Sequence, residues 1–465
     1  MVLRLFNTLT RKIEVFKPIK DKNVNMFSCG ITPYDYGHIG NFKTFIQIDM
    51  LAKYLKYKGF TVFHLQNITD IDDKIITRAN EKKQDPLELS KKYTKIFLEQ
   101  AKLLGIDSIN KYAPATEHMK EIINQVQRLI DKDYAYVSED GVYFEVNKFK
   151  DYGKLSKQPL DQIKEGARVE LNENKKNPED FVLWKKYKEG EPFWDAEFKF
   201  NKKKTKMNGR PGWHIEDTAI TEHYFGPQYD LHGGGIDLIF PHHEAEVAQQ
   251  EAASGKIPFV KYWIHTAHLL VNNEKMSKSL GNFYTVHDLI EKGHTPKAIR
   301  YLFISVNYRQ PMNFNFESLT YAKNAVDRIN TFYNSLERKS KKDSTKIPAL
   351  INLLLGRFEE AMDNDLNISV ALSEIFIFIR KVNKIGLSET NIEKIREAFK
   401  KLDSILGILE EQFITPPDYI ENLIKEREKA RKEKDFKKAD LIRSTIEEKG
   451  FILEDTDKGI KVRKK

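Results

Sequence analysis

A chain of 465 residues that is 40% hydrophobic, 31% charged and 11% aromatic has the profile of a globular protein of two to four domains, at about 100–200 residues each. Lysine and arginine outnumber aspartate and glutamate by 77 to 68, a net charge of +9 that suits a polyanionic partner. No run of eighteen apolar residues occurs, charged residues break up the first twenty positions, and Cys29 is the one cysteine, so membrane spans and intramolecular disulfides are excluded and a cytoplasmic protein without a signal peptide is expected.

In chain order, Val24 to Phe27 reads as a strand, Ser28 to Gly40 as a loop and Phe42 to Tyr57 as a helix. Phe42, Phe45, Ile46, Met50, Leu51, Tyr54 and Leu55 recur near every 3.6 residues, which gives that helix a buried face. Gly59 stops it, and the β-rich run Phe60 to Leu65 follows. Strand, helix and strand form one mononucleotide-binding half of a parallel α/β sheet, whose ligand sits above the strand ends. Cys29 and Gly30 then share a rim with Asn67 to Asp73. From about Glu81 to Phe200 the pattern turns helical and then mixed, with alternation at Tyr134 to Val146, so an insertion is expected. Lys202 to Lys206 reads as a solvated, lysine-dense loop. The α/β pattern returns at Tyr229 to Ile239 and Tyr262 to Val271, the second half of a split sheet. Beyond Phe316 the chain is amphipathic helix, as in Ile351 to Met362 and Ser369 to Ile385. After Pro416 and Pro417 comes a small basic unit, with 15 Lys or Arg against 11 Asp or Glu from Glu421 to Lys465.

Two motifs carry phosphate chemistry. Gly37-His38-Ile39-Gly40-Asn41 stands between strand and helix, where small residues let a nucleotide approach the backbone, the helix N-terminus offers N–H groups, and His38 adds a donor. Far along the chain, Lys275-Met276-Ser277-Lys278-Ser279 puts two ammonium groups and two hydroxyls on one loop, suited to closing over a triphosphate and offsetting charge on a leaving pyrophosphate. Either string alone reads as an ordinary turn; both at matching ends of a split sheet point to one nucleotide site.

His242 and Glu246 lie four apart on a helix that Pro241 can begin, so both side chains leave one face toward a common ion. A helix-terminal histidine with a solvated glutamate fits the same residues. His242-His243-Glu244-Ala245-Glu246 is not the HExxH arrangement, so a zinc protease gains no support.

With its HIGH-type and KMSKS strings the sequence resembles the class I aminoacyl-tRNA synthetases. Cys29-Gly30, the run from Asn67 to Lys74, Gly209 to Glu216, His232 to Gly235, Pro241 to Glu244, Met362 to Asn367 and Arg431 to Phe436 resemble the cysteinyl-tRNA synthetase family in particular, over nearly the whole chain. The resemblance implies ATP-dependent attachment of L-cysteine to tRNA(Cys) through a cysteinyl-adenylate, with Mg-ATP as co-substrate. It implies His38, Asn41, Lys275 and Lys278 as catalytic groups, and Gly37, Gly40, Asp237 and Ser277 beside them at ATP. Cys29, Gly30, Thr69, Trp213 and His232 would bind cysteine. Zinc would be held by Cys29, Asp217, His242 and Glu246, with Asp217 where the family usually has cysteine; a carboxylate keeps the ligand charge but is a harder ligand. Zinc on the substrate sulfur would separate cysteine from serine, which differ by one atom. Arg431, Phe436 and Asp440 would read the anticodon, with Phe436 where tryptophan is common and Val462 replacing another tryptophan. The implied division is an α/β, split Rossmann-like catalytic domain (1–115 and 221–315, the latter with the KMSKS motif), an inserted subdomain (116–220), a helical anticodon-binding bundle (316–415) and a basic terminal unit (416–465); a monomer is the default expectation, since no self-complementary interface can be read in the sequence. Two rivals remain at this stage: a cysteine-activating ligase with a small amine as acceptor, for which residues beyond 316 have little use, and a non-catalytic RNA-binding paralogue, which only Asp217 favours.

Overall fold

The computed structural model describes residues 2–158, 173–277, 280–410, 416–456 and 459–464. In chain order the α/β core consists of β1 (Asn23–Ile31), α1 (Ile39–Tyr57), β2 (Thr61–Ile68), β3 (Lys111–Pro114), α2 (Ile215–Phe225), β4 (Tyr229–Gly235), α3 (Glu244–Ser254) and β5 (Val260–Thr266). The strands form one five-stranded sheet in the order β5-β4-β1-β2-β3, all parallel. Chain direction across the sheet reverses between β1 and β4, and the carboxyl ends of those strands open the crevice where such sheets bind ligands. The expected α/β class with a split parallel sheet is therefore the fold.

Local differences from the sequence reading have physical causes. β1 runs through Cys29 and Gly30 to Ile31 rather than ending at Phe27, because β2 continues beside it and pairs Ile68 with Ile31. α1 starts at Ile39, three residues before the expected position. His38 and Asn41 cap it reciprocally, Nδ1 of His38 accepting from the Asn41 N–H at 3.2 Å and Oδ1 of Asn41 accepting from the His38 N–H at 3.2 Å. Instead of one apolar face, α1 is buried on nearly all sides, Lys43, Gln47 and Asp49 included, because the sheet covers one flank and helix Pro296–Ile304 and the helical bundle cover others. The lysine-dense segment is not a loop: Glu197–Phe200 and Lys203–Lys206 pair as an antiparallel ribbon.

The insertion is a four-stranded antiparallel sheet of Ala135–Val137, Gly141–Phe144, Phe181–Lys186 and Gly209–Pro211 against helix Met119–Asp131, with its own apolar core around Trp184 and Phe144. Beyond it, helices Phe316–Asn334, Lys346–Asp363, Ile368–Val382 and Glu389–Leu406 share one continuous core with α1. Helices Asp418–Lys432 and Phe436–Glu448 and the hairpin Phe451–Thr456/Gly459–Lys464 close around a small separate core that includes Val462.

Candidate active site and metal centre

The end of β1, the turn before α1, the end of β2, the start of α2 and the segment leading into α3 meet at the crevice. Gly30 makes this possible: a Cβ there would lie 1.9 Å from the Asn67 carbonyl oxygen, so only glycine lets β1 and β2 approach so closely. The Gly30 N–H donates to Oδ1 of Asn67 at 2.6 Å, and Nδ2 of Asn67 donates to Oδ1 of Asp217 at 2.5 Å. Asn67 thus orients Asp217, a role its place in the Asn67-Ile68-Thr69-Asp70 string did not reveal.

His242 is the centre of the cluster. Its Nε2 lies 3.1 Å from Oδ2 of Asp217, 3.2 Å from Oε1 of Glu246 and 3.6 Å from Sγ of Cys29. A tetrahedral ion with bonds of about 2.0–2.3 Å separates its ligand atoms by about 3.3–3.8 Å, close to this spacing. Asp217, His242 and Glu246 offer ligand atoms within 4.8 Å of one another, and Cys29 joins the group through His242 and His243. Asp217 and Glu246 are wholly buried, and neither carboxylate oxygen of Glu246 has a hydrogen-bond donor among the described residues. Two buried carboxylates that face no lysine or arginine among the described residues are costly unless a cation joins them, so the donor set fits a metal. Burial, with Asp217 and then Glu246 adding repulsion, pushes the Cys29 thiol well up; burial and Asp217 likewise push Glu246 up. A cation would reverse both effects.

Surrounding residues fix the ligands. Nδ1 of His242 and Nδ1 of His214 lie 2.8 Å apart, so one donates to the other, and the backbone carbonyl of His214 accepts from the Gln249 amide. Burial and the neighbouring His242 pull His214 well down, keeping it neutral. Trp213, 39% exposed, stacks flat on His242 with ring centroids 4.1 Å apart, so it is a lid on the cluster and not a core aromatic. Thr69 donates to Glu216 at the same rim. His232 is wholly buried, stacked on Trp263 at 4.3 Å with Nδ1 2.7 Å from the Tyr229 hydroxyl. The sequence reading passed over His243, whose Nδ1 is 2.8 Å from Nε2 of His265. Its one signal was the doubled histidine of His242-His243.

The phosphate motifs also meet. The Ile39 N–H donates to the Tyr284 carbonyl at 3.0 Å, His38 bridges Thr285, and the His38 ring is 5.7 Å from Phe283. A Cβ on Gly40 would lie 2.9 Å from Nδ1 of His38, so the second glycine leaves the imidazole its place. Burial lowers His38 to about 4 despite the opposing pull of Asp237, so the ring is neutral at physiological pH. With Nδ1 accepting from Asn41, its proton is on Nε2, available as a donor. Lys275 is exposed in the short strand Glu274–Lys275; the Ser277 N–H donates to Oδ1 of Asn282 at 2.8 Å, and Nδ2 of Asn282 donates to the Lys275 carbonyl at 3.3 Å. Lys278 lies outside the described residues. Asp237 is exposed on the turn Ile236–Leu238 just past β4. In the terminal unit, Phe436 is 62% exposed, Asp440 lies one turn further along the same helix, and Arg431 is exposed near the end of the preceding helix.

Solved structures share this architecture. Mycobacterium tuberculosis methionyl-tRNA synthetase in complex with methionyl-adenylate matches with a TM-score of 0.58 at 14% identity, covering 83% of this chain and 92% of that one. The Agrobacterium radiobacter K84 agnB2 LeuRS of the ternary LeuRS-tRNA-LeuAMS complex matches with a TM-score of 0.62 at 9% identity, covering 84% and 85%. The fold is that of the class I aminoacyl-tRNA synthetases. Residues 15–324 match the class I (C) tRNA synthetase catalytic domain, 357–410 the DALR domain and 417–463 the cysteinyl-tRNA ligase anticodon-binding domain. The cysteine–tRNA ligase of Thermoplasma volcanium is 45% identical over 97% of both chains, and that of Thermococcus gammatolerans 44% identical over 99% of this chain and 98% of its own. This chain belongs to the cysteine–tRNA ligase family, and it catalyses ATP-dependent attachment of cysteine to tRNA(Cys). No helix of the described residues is long and apolar enough to cross a membrane.

Proposed function

We propose that cysteine and Mg-ATP meet at the crevice above β1 and β4, with the metal cluster at the amino-acid end and the two phosphate motifs at the nucleotide end. Cys29, Asp217, His242 and Glu246 would hold one zinc ion. Bound there, zinc would ligate the substrate sulfur and favour its thiolate, a discrimination from serine that shape alone handles poorly. The single observation that carries this reading is the convergence of Asp217, Glu246 and Cys29 on Nε2 of His242.

The remaining steps belong to the chain's own residues. Neutral His38 donates from Nε2 to a phosphate oxygen, while Gly37, Gly40 and Asn41 shape the cradle at the α1 N-terminus. Lys275, Ser277 and Lys278 steady the triphosphate as the cysteine carboxylate attacks the α-phosphate and pyrophosphate leaves. Asp237 accepts from the ribose hydroxyls. Gly30, Thr69, Trp213 and His232 wall the amino-acid pocket. The terminal adenosine of tRNA then attacks the aminoacyl carbonyl through its 2′-hydroxyl, releasing AMP. Arg431, Phe436 and Asp440 engage the anticodon, Phe436 by stacking. Residues 1–115 with 221–315, 116–220, 316–415 and 416–465 are the working units of a cytoplasmic monomer.

The test is cysteine-dependent exchange of labelled pyrophosphate into ATP, run beside serine, with zinc content determined on the same preparation. Exchange with cysteine alone at about one zinc per chain is the expected result. Exchange without zinc would overturn the metal account of selectivity.

A further inference from the structure

The run from Asn67 to Asp73 ends in a carboxylate that the chemistry above does not use. Asp73 opens helix Asp73–Lys82, but the cap of that helix is Asp72, whose side chain accepts from the Lys74 N–H at 2.9 Å. Asp73 turns instead to the inserted subdomain: Oδ1 accepts from Nη2 of Arg210 at 2.5 Å, and Oδ2 accepts from Nζ of Lys185. Arg210 and Lys185 stand directly opposite one another in the antiparallel pair of Phe181–Lys186 with Gly209–Pro211. Like charges so placed oppose strand pairing, and a carboxylate shared between them reverses the sign. Arg210 is the deeper of the two, its side chain 4% exposed and its Nε donating to Oε2 of Glu191 at 3.0 Å. Burial raises the Asp73 carboxyl, but Lys185 and Arg210 pull it further the other way, to below 3.8, so it is charged at neutral pH.

What these cations hold is the strand that leads into Trp213. The Gly212 N–H donates to the Leu183 carbonyl at 2.9 Å. A Cβ on Gly209 would lie 1.9 Å from the Lys185 carbonyl oxygen, and one on Gly212 would lie 2.1 Å from that of Val182, so the segment is zipped to its neighbour up to the residue before the indole. Trp213 follows at once and lies flat on His242, while His214 meets Phe181 edge-on with centroids 5.4 Å apart. The opposite segment is fixed as well. Asp70 accepts from the Thr116 N–H at 3.0 Å and from its hydroxyl at 2.5 Å, which ties the run between Thr69 and Asp73 to the turn just past β3.

Thr69 and Trp213 therefore stand on two braced segments that are joined twice. Buried Thr69 donates to buried Glu216, and Asp73, its side chain 56% exposed, takes Arg210 and Lys185. We infer that Asp73 is a positioning residue for cysteine activation: its ion pairs with Arg210 and Lys185 latch the strand Gly209–Pro211 to the start of helix Asp73–Lys82 and so hold Trp213 over the cysteine pocket. Of the two joins this is the one that can open, because charges lying partly in water attract weakly and are screened by salt, whereas the Thr69–Glu216 bond is shielded from solvent. A latch of that strength keeps the indole in place and still lets the amino acid enter and leave. The inference rests on Trp213 walling the cysteine pocket.

The test is Asp73→Asn, which keeps the shape and removes the charge, read by cysteine-dependent pyrophosphate exchange. KM for cysteine should rise about fivefold, the effect of one partly exposed ion pair, with kcat, KM for ATP and zinc content unchanged. Lys185→Met should give a smaller rise in the same direction, and Asp73→Glu should restore most of the parent value. In the parent, KM for cysteine should climb between about 0.05 and 0.5 M KCl, and in Asp73→Asn it should stay flat. Added to Trp213→Phe, Asp73→Asn should raise KM no further, since it acts through that ring. The inference is overturned if Asp73→Asn leaves KM for cysteine unchanged, if KM for ATP rises or zinc content falls in step with it, or if its full effect persists beside Trp213→Phe. Should Trp213→Phe itself leave KM for cysteine unchanged, the pocket reading fails and the inference with it.

Discussion

Arg300 should be the most sensitive stabilising residue outside the crevice. It is wholly buried on helix Pro296–Ile304, and its guanidinium donates to Oδ2 of Asp49 at 2.7 Å and to the carbonyls of Leu406 at 2.6 Å, Leu104 at 3.1 Å and Gly105 at 2.9 Å. Those carbonyls end helices Pro86–Leu103 and Glu389–Leu406, where the helix dipole favours a cation. One side chain thereby ties α1 to the connection before β3 and to the helical bundle. Arg300→Met leaves Asp49 charged and buried, with Lys53 at 3.0 Å as its remaining cation, and takes the side-chain donor from the Leu104 and Leu406 carbonyls, while the Gly105 carbonyl keeps Lys53 at 2.8 Å. Breaking one partner of such a pair costs about 3–5 kcal/mol. Asp49→Asn added to Arg300→Met removes the stranded charge and should recover about 2 kcal/mol of that loss, a non-additivity that a double-mutant cycle measures. All four tryptophans, at 184, 194, 213 and 263, lie in the α/β core and its insertion, so urea unfolding followed by tryptophan fluorescence reports that part. The single variant should lower the midpoint by about 1 M or more. Burial raises the Asp49 carboxyl, but Arg300 and Lys53 pull it further the other way, to below 3.8. Its stabilisation is therefore present above pH 3.8 and lost only as pH falls through the still lower folded value, so the cycle should give the same coupling at pH 6 and pH 8. A cost for Arg300→Met below 1 kcal/mol, or strict additivity, would refute the reasoning.

Lys43 is buried with its ammonium 2.5 Å from the Ala267 carbonyl, and burial lowers it from 10.5 to about 7. Between pH 7 and 10 the unfolded chain holds a proton the folded one lacks, so stability from this group rises with pH by up to about 1.4 kcal/mol per unit; Lys43→Met should remove that slope in thermal melts. His38→Asn keeps a capping side chain at α1 but loses the donor aimed at phosphate, so exchange kcat should fall about a hundredfold with the melting temperature little changed. Because His38 titrates near 4, the parent rate should show no His38 inflection between pH 6 and 8. Gly30→Ala places a methyl 1.9 Å from the Asn67 carbonyl, so β1 and β2 must part; both zinc content and exchange should collapse, whereas unchanged zinc would show that the strands can yield.

Much of this protein is written in local sequence. The strand–helix–strand openings, the cap at His38 and Asn41 and the position of His242 relative to Glu246 all follow from residues within a few positions of one another, where side-chain period and capping chemistry act directly. The tertiary structure alone brings Cys29 to His242, 213 positions away, and sets Asn67 against Asp217 across 150. Nothing in a helical period could show that α1 is buried on nearly all sides, since that depends on what packs against it after the chain returns. The lysine segment separates the two kinds of information most clearly. Its charge is plain in the sequence, but its pairing into an antiparallel ribbon anchored by the buried Phe198 rests on a core that other elements of the insertion provide.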